Sequence, residues 1–94
     1  MSELTTFKLR ITGQVQGVGF RDWVIEEAKK LELDGWVRNR SDGSVELMIS
    51  GPDKSVQAML RVCTHGPEEA AVANIDILNE KIPPLKGFVR KPTI

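Results

Sequence analysis

One cysteine, Cys63, and one histidine, His65, stand among the 94 residues. A lone cysteine excludes an intramolecular disulfide, and with a lone histidine it leaves too few soft ligands for a tetrahedral metal site within one chain. Counting does not exclude a metal held by carboxylates. Neither sign of charge is in excess, since 13 Lys and Arg face 13 Asp and Glu. The long-range field of a general nucleic-acid or anionic-membrane binder is therefore missing, while a local anion site stays open. No stretch approaches the ~20 apolar residues of a bilayer span. Near the N-terminus Lys8 and Arg10 interleave with the apolar residues and break up the apolar core a signal peptide needs. A cytoplasmic protein with no membrane or nucleic-acid partner is the expectation.

The composition, 40% hydrophobic and 28% charged, is that of one globular domain spanning residues 1–94. A chain of this size buries roughly 63% of its unfolded surface, enough for one core without staples. Size makes a monomer the default expectation.

Phe7 to Thr12 alternates strictly, so Phe7, Leu9 and Ile11 face a core and Lys8, Arg10 and Thr12 face water, the pattern of a first strand. After a loop over 13–19, Phe20, Trp23, Val24, Ala28 and Leu31 form the stripe of an amphipathic helix running to about Glu32. Gly35–Asn39 and Ser44–Ile49 flank Asp42-Gly43, a hairpin signal that makes strands two and three antiparallel neighbours. Pro52 suits the first turn of a second helix carrying Val56, Met59, Leu60 and Cys63, closed by Gly66-Pro67. Ala73–Ile77 alternates as strand four, and Lys86–Lys91 reads as a short final edge strand.

The order β-α-β-β-α-β plus a tail strand folds, under the right-handed crossover rule, into an α+β, ferredoxin-like split βαβ sandwich with two helices on one face of an antiparallel sheet. That fold hosts unrelated functions, so function rests on a site. An RNA reader of this topology needs closely spaced exposed aromatics, which strands one and three lack. A metal chaperone needs paired cysteines in the first loop, which has none.

Gly13-Gln14-Val15-Gln16-Gly17-Val18-Gly19-Phe20-Arg21 joins a strand's carboxyl end to a helix start. Orphan N–H groups of the helix's first turn point to that loop, Gly17 and Gly19 permit unusual φ angles, and Arg21 adds a planar fork matched to two phosphate oxygens. A Walker loop would need Gly-Lys followed by Ser or Thr, and a dinucleotide fingerprint would need a small residue where Asp22 stands. Two glycines in such a loop are also ordinary tight-turn chemistry. A second constellation is Gly35-Trp36-Val37-Arg38-Asn39, followed by Gly43, Val45 and Gly51. With strand two beside strand one, Asn39 reaches the first loop, where a neutral amide can hold a water by donating and accepting. Its other reading is a strand-end turn former.

Together, Ile11–Arg21 and Gly35–Asn39 leading through Gly43 and Val45 to Gly51 resemble the two characteristic segments of acylphosphatases, in register, with matching element order and length across nearly the whole chain. The resemblance implies hydrolysis of a carboxylic-phosphoric anhydride to carboxylate and inorganic phosphate, with a small acyl phosphate as the only partner and no metal or organic cofactor. By position it implies that Arg21 binds substrate, that Asn39 positions water, and that Gln16, Gly17, Val18, Gly19, Phe20 and Arg21 form the loop whose amides hold the phosphoryl oxygens. Gly19 stands where members often carry a bulkier residue, which implies a looser loop and lower affinity. The Val-Gln-Gly-Val-Gly-Phe-Arg form also resembles the acylphosphatase-like domain of a hydrogenase-maturation carbamoyltransferase; with the chain stopping at Ile94, a free-standing enzyme is the expectation. The competing readings are a non-catalytic acyl- or carbamoyl-phosphate-binding module and a ferredoxin-like interaction domain.

Other polar residues have plainer readings. Asp22 suits the helix dipole, His65 a helix C-terminus, and Arg38 and Arg40 solvated positions on the face opposite Asn39. Cys63, Trp23 and Trp36 read as packing residues.

Overall fold

The computed structural model describes residues 3–81 and 83–94. Its elements are β1 (Leu4–Gln14), α1 (Phe20–Lys30), β2 (Asp34–Asn39), β3 (Val45–Pro52), α2 (Asp53–Cys63), β4 (Ala71–Asn79) and β5 (Phe88–Arg90). They form one five-stranded sheet in the order β4-β1-β3-β2-β5. The first four strands pair antiparallel, whereas β5 runs parallel to β2, with Gly35 opposite Phe88 and Val37 opposite Arg90. The sheet is thus mixed, and the antiparallel expectation holds for all but its last edge.

Alternation sets the faces. Leu9 and Ile11 of β1, Val37 of β2, and Val45, Leu47 and Ile49 of β3 are fully buried against Val24 and Ala28 of α1 and Val56, Met59 and Cys63 of α2. Phe7 packs only partly, because it lies toward the outer end of β1. Among the described residues the opposite sheet face carries no helix; charged pairs cover its β1–β3 part, and Trp36 and Met48 form an apolar patch toward β2.

One expected adjacency is wrong. Strand β3 lies between β1 and β2, so strand two is not beside strand one. The hairpin makes β3 the neighbour of β2, and the α1 crossover leaves a gap one strand wide that β3 fills. Because β1 and β2 are each antiparallel to β3, they are parallel to each other. Their carboxyl ends therefore emerge at the same edge, two strand spacings or about 10 Å apart, and the loop after β1 crosses the start of β3 to reach Asn39.

Boundaries shift slightly. Pro52 ends β3 and is the N-cap of α2, one residue before the first turn. Helix α1 stops at Lys30, where Leu33 N–H bonds Ala28 O at 2.9 Å and Glu32 N–H bonds Lys29 O at 3.1 Å. Glu32 takes the left-handed position of this Schellman closure with φ 55°, a place that favours glycine.

Candidate active site

Helix α1 begins without a side-chain cap: its N-cap is Gly19, in the left-handed region at φ 74° and ψ 19°. Gly17 is left-handed too, at φ 75°, and a Cβ at either position would meet nothing within 4 Å. Backbone conformation, not crowding, therefore makes these positions glycine, since other residues lose roughly 1–2 kcal/mol there. The first N–H groups of α1 have no intrahelical partner and carry the positive end of the helix dipole. They border a polar hollow of about 100 Å³ lined by Val15, Gln16, Gly17, Gly19, Phe20, Arg21, Asp22, Asn39 and Arg90. Of the loop residues expected from sequence, only Val18 is missing from that lining; its side chain packs against the core. Phe20 is among the lining residues although it is buried in the core.

Arg21 follows directly in the first turn, and among the described residues it has no carboxylate partner in an ion pair. Asn39 ends β2 opposite Val45, on the helix side of the sheet. Its Oδ1 is buried, and no donor among the described residues reaches it. Such an orphaned acceptor costs about 1–3 kcal/mol. Its backbone is fastened by the tail: Lys91 N–H donates to Val37 O at 2.9 Å, Ile94 N–H to Asn39 O at 3.2 Å, and Ser41 N–H to Ile94 O at 2.6 Å.

Gln16 spends its side chain on the scaffold. Its Nε2 donates to Arg40 O and to Ser44 O, each at 2.8 Å, tying the loop to the β2–β3 hairpin and so to Asn39. Only the Gln16 backbone is left for an anion.

Arg38 and Arg40 are not solvated charges. Across from Arg38 in the register stands Glu46, only 5% exposed. Arg38 contacts Glu46 Oε1 at 2.7 Å through Nε and 2.6 Å through Nη2, and Arg40 Nη1 reaches Oε2 at 3.3 Å. A carboxylate buried on the open face needs such partners. At the hairpin tip, the Ser44 hydroxyl, then its backbone N–H, then Arg10 hold the Asp42 carboxyl well below the usual range.

Trp36 is buried beneath two cations, Arg38 at 4.7 Å and Lys91 at 4.8 Å from its ring centre. Trp23 packs against Phe20 with ring centres 5.5 Å apart. Cys63 lies in the core, where burial, with a smaller contribution from Glu27, pushes its thiol pKa up to about 12. The α2 terminus is capped by the Thr64 hydroxyl, which donates to Arg61 O at 2.6 Å, and not by the exposed His65. Asp22, read from sequence as a dipole residue, also forms an ion pair with Arg90. Arg90 is the lining residue that the sequence reading did not single out. Its signal was alternation in a short strand: Phe88 is buried on the helix side, so Arg90 shares that side. A larger apolar hollow of about 470 Å³ between Trp36, Met48 and Leu85 shares no residue with the polar one.

The sequence profile of the family described as Acylphosphatase matches residues 7–90. An acylphosphatase of Rhodospirillum rubrum is 45% identical over 91 residues, covering 97% of this chain and all of that protein. The structure of an acylphosphatase from Coxiella burnetii superposes with a TM-score of 0.89 at 34% identity, covering 94% of this chain and 93% of that one. A full-length HypF, solved in a phosphate- and nucleotide-bound form, gives a TM-score of 0.90 at 26% identity, covering 99% of this chain but 12% of that one.

Proposed function

The chain belongs to the acylphosphatase family and is an enzyme that hydrolyses acyl phosphates, and we propose that it does so by in-line attack of a water held by Asn39 on a phosphoryl group held by Arg21 and the amides of residues 16–21. The observation that carries this assignment is the orphaned Asn39 Oδ1 at a hollow shared with Arg21 and the uncapped α1 terminus. An acceptor there takes one hydrogen of the water and leaves the oxygen lone pair for phosphorus.

The leaving carboxylate has a conjugate-acid pKa of roughly 4, so it departs unprotonated and needs no general acid. Phosphoryl transfer through a loose transition state asks for position and for donors around the equatorial oxygens, which the amides and Arg21 supply. A neutral amide is too weak a base to take the water's proton, which passes to a phosphoryl oxygen late in the step. A hollow of about 100 Å³ is small beside the ~300–1,000 Å³ of pockets that engulf a drug-sized ligand. It takes the phosphoryl end and leaves the acyl group outside, so the enzyme selects the bond type more than the acyl chain.

The decisive experiment is hydrolysis of benzoyl phosphate by wild type and Asn39→Ala in excess chelator, with p-nitrophenyl phosphate as the phosphomonoester control. Selective, chelator-resistant turnover that disappears in the variant while phosphate still binds supports the assignment. A wild type that binds phosphate without turnover would reduce the site to a binding module.

We propose further that residues 1–94 fold as one domain that acts as a monomer in the cytoplasm without a nucleic-acid partner. Among the described residues no helix is long and apolar enough to cross a membrane. Arg10, Arg38 and Arg40 on the open face are matched by Asp42, Glu46 and Asp76, which removes the basic stripe nucleic acid would need. Salt-sensitive binding to RNA, or a dimer by light scattering, would contradict it.

A further inference from the structure

The polar hollow has a second guanidinium. Arg90 ends β5 opposite Val37, two residues before Asn39, and lines the same hollow as Arg21, Asp22 and Asn39. Its Nη2 pairs with the Asp22 carboxylate in the first turn of α1, immediately after Arg21. Both partners are accessible, Arg90 at 43% and Asp22 at 75% side-chain exposure. A pair so exposed adds little to stability. A lone carboxylate at this rim would repel an incoming phosphoryl group, which carries close to two negative charges near pH 7 in phosphomonoesters. With Arg90 present, the three ionised groups at the rim sum to one positive charge.

We infer that Arg90 is a second phosphoryl-binding residue and that Asp22 is its positioning residue, holding the guanidinium at the rim so that one fork bridges carboxylate and substrate. This inference rests on the phosphoryl-binding reading of the hollow and adds to it the strand that closes its far side. The chemistry suits Arg and not Lys, because a planar fork can face two anions at once. A rim contact of this kind is made in ground state and transition state alike, so it acts on KM and leaves kcat nearly unchanged.

The test is a cycle of Arg90→Gln, Asp22→Asn and the double variant, read by calorimetric binding of inorganic phosphate and by benzoyl phosphate kinetics at two salt concentrations. Arg90→Gln is expected to weaken phosphate binding and raise KM about tenfold or more, with kcat within about threefold, because it both removes a donor and unmasks Asp22. The decisive comparison is Arg90→Gln within the Asp22→Asn background, where no carboxylate is left to unmask. A further severalfold loss of phosphate affinity there, shrinking at high salt, supports direct contact, and Arg90→Lys is expected to recover only part of it. Unchanged affinity in that background would make Arg90 a mere counter-ion of Asp22 and overturn the inference while leaving the phosphoryl site intact. A wild type that binds no phosphate would overturn both.

Discussion

Replacing Gln16 separates scaffold from chemistry at this site. Its amide gives one hydrogen to Arg40 O and one to Ser44 O, both at 2.8 Å. Each carbonyl keeps a second donor, Gly43 N–H at 3.1 Å and Arg40 N–H at 2.9 Å respectively. Gln16→Ala therefore removes two bonds without orphaning either acceptor completely, and the expected loss is about 1–2 kcal/mol. For a domain of this size that corresponds to roughly 5–15 °C in Tm. Gln16→Glu is expected to be worse at pH 7, because it sets carboxylate oxygens against two carbonyl oxygens. The charged form is disfavoured in the fold, so the folded pKa of the introduced acid lies above its unfolded value of roughly 4.3. Relative stability is then retained below the unfolded pKa and lost as pH rises through the folded one, and the deficit of Gln16→Glu shrinks on acidification. Both variants release the loop from the hairpin that carries Asn39, and a shift of about 1 Å between anion and water can cost on the order of 10²-fold in rate. Urea unfolding from pH 4 to 8, with benzoyl phosphate turnover at pH 7, reads all of this. A Gln16→Glu protein as stable as wild type at pH 7, or a Gln16→Ala protein with unchanged kcat, would refute the reasoning.

Arg21→Lys keeps the charge but loses the two-pronged geometry, and is expected to retain about 10⁻³ or less of wild-type benzoyl phosphate turnover; near-normal activity would dismiss the fork. Glu32→Gly relieves the left-handed strain of Glu32, offset in part by the chain entropy of glycine, and is expected to raise Tm by about 2–4 °C in a calorimetric scan. Cys63 is buried in the core with its thiol pushed up to about 12, so maleimide labelling at pH 7 should follow unfolding in urea and not precede it; prompt labelling of the native protein would contradict that burial.

Elements that declare themselves through periodicity are legible in the sequence. The Phe7–Thr12 alternation placed Leu9 and Ile11 in the core, and the Val56, Met59 and Cys63 spacing gave the buried side of α2. The two long segments single out Arg21 and Asn39, and the fold brings both to the lining of one hollow. Pairing was harder. That β3 separates β1 from β2 follows from where a crossover leaves room, a three-dimensional constraint with no mark on any one residue. The parallel direction of β5 is decided by the path of the chain after β4, not by its three residues. The scaffold bonds of the Gln16 side chain leave no mark in the sequence, because its partners across the sheet edge, Arg40 and Ser44, are 24 and 28 residues away. The sequence gives Arg38 and Arg40 no sign of a partner for the same reason: the buried Glu46 that binds them belongs to the next strand.

A chain with no net charge can hold a phosphoryl anion because its charges are sorted by face. On the open side of the sheet, Arg10 meets Asp42 at 2.8 Å, Arg38 meets Glu46 at 2.6 Å, and Lys8 meets Glu80 at 3.7 Å, so those cations are largely spent. At the carboxyl ends of β1 and β2 the arrangement is the reverse: Arg21 stands beside the uncapped end of α1, and Asp22, the acidic residue among those lining the hollow, is paired with Arg90. The attraction felt by a substrate is consequently local, confined to the loop and its rim. Long-range steering is weak, and salt acts on affinity within contact distance more than on encounter. Such a site depends on registry among strand ends, and the Gln16 bonds to the hairpin and the tail's hold on Asn39 are the contacts that keep it.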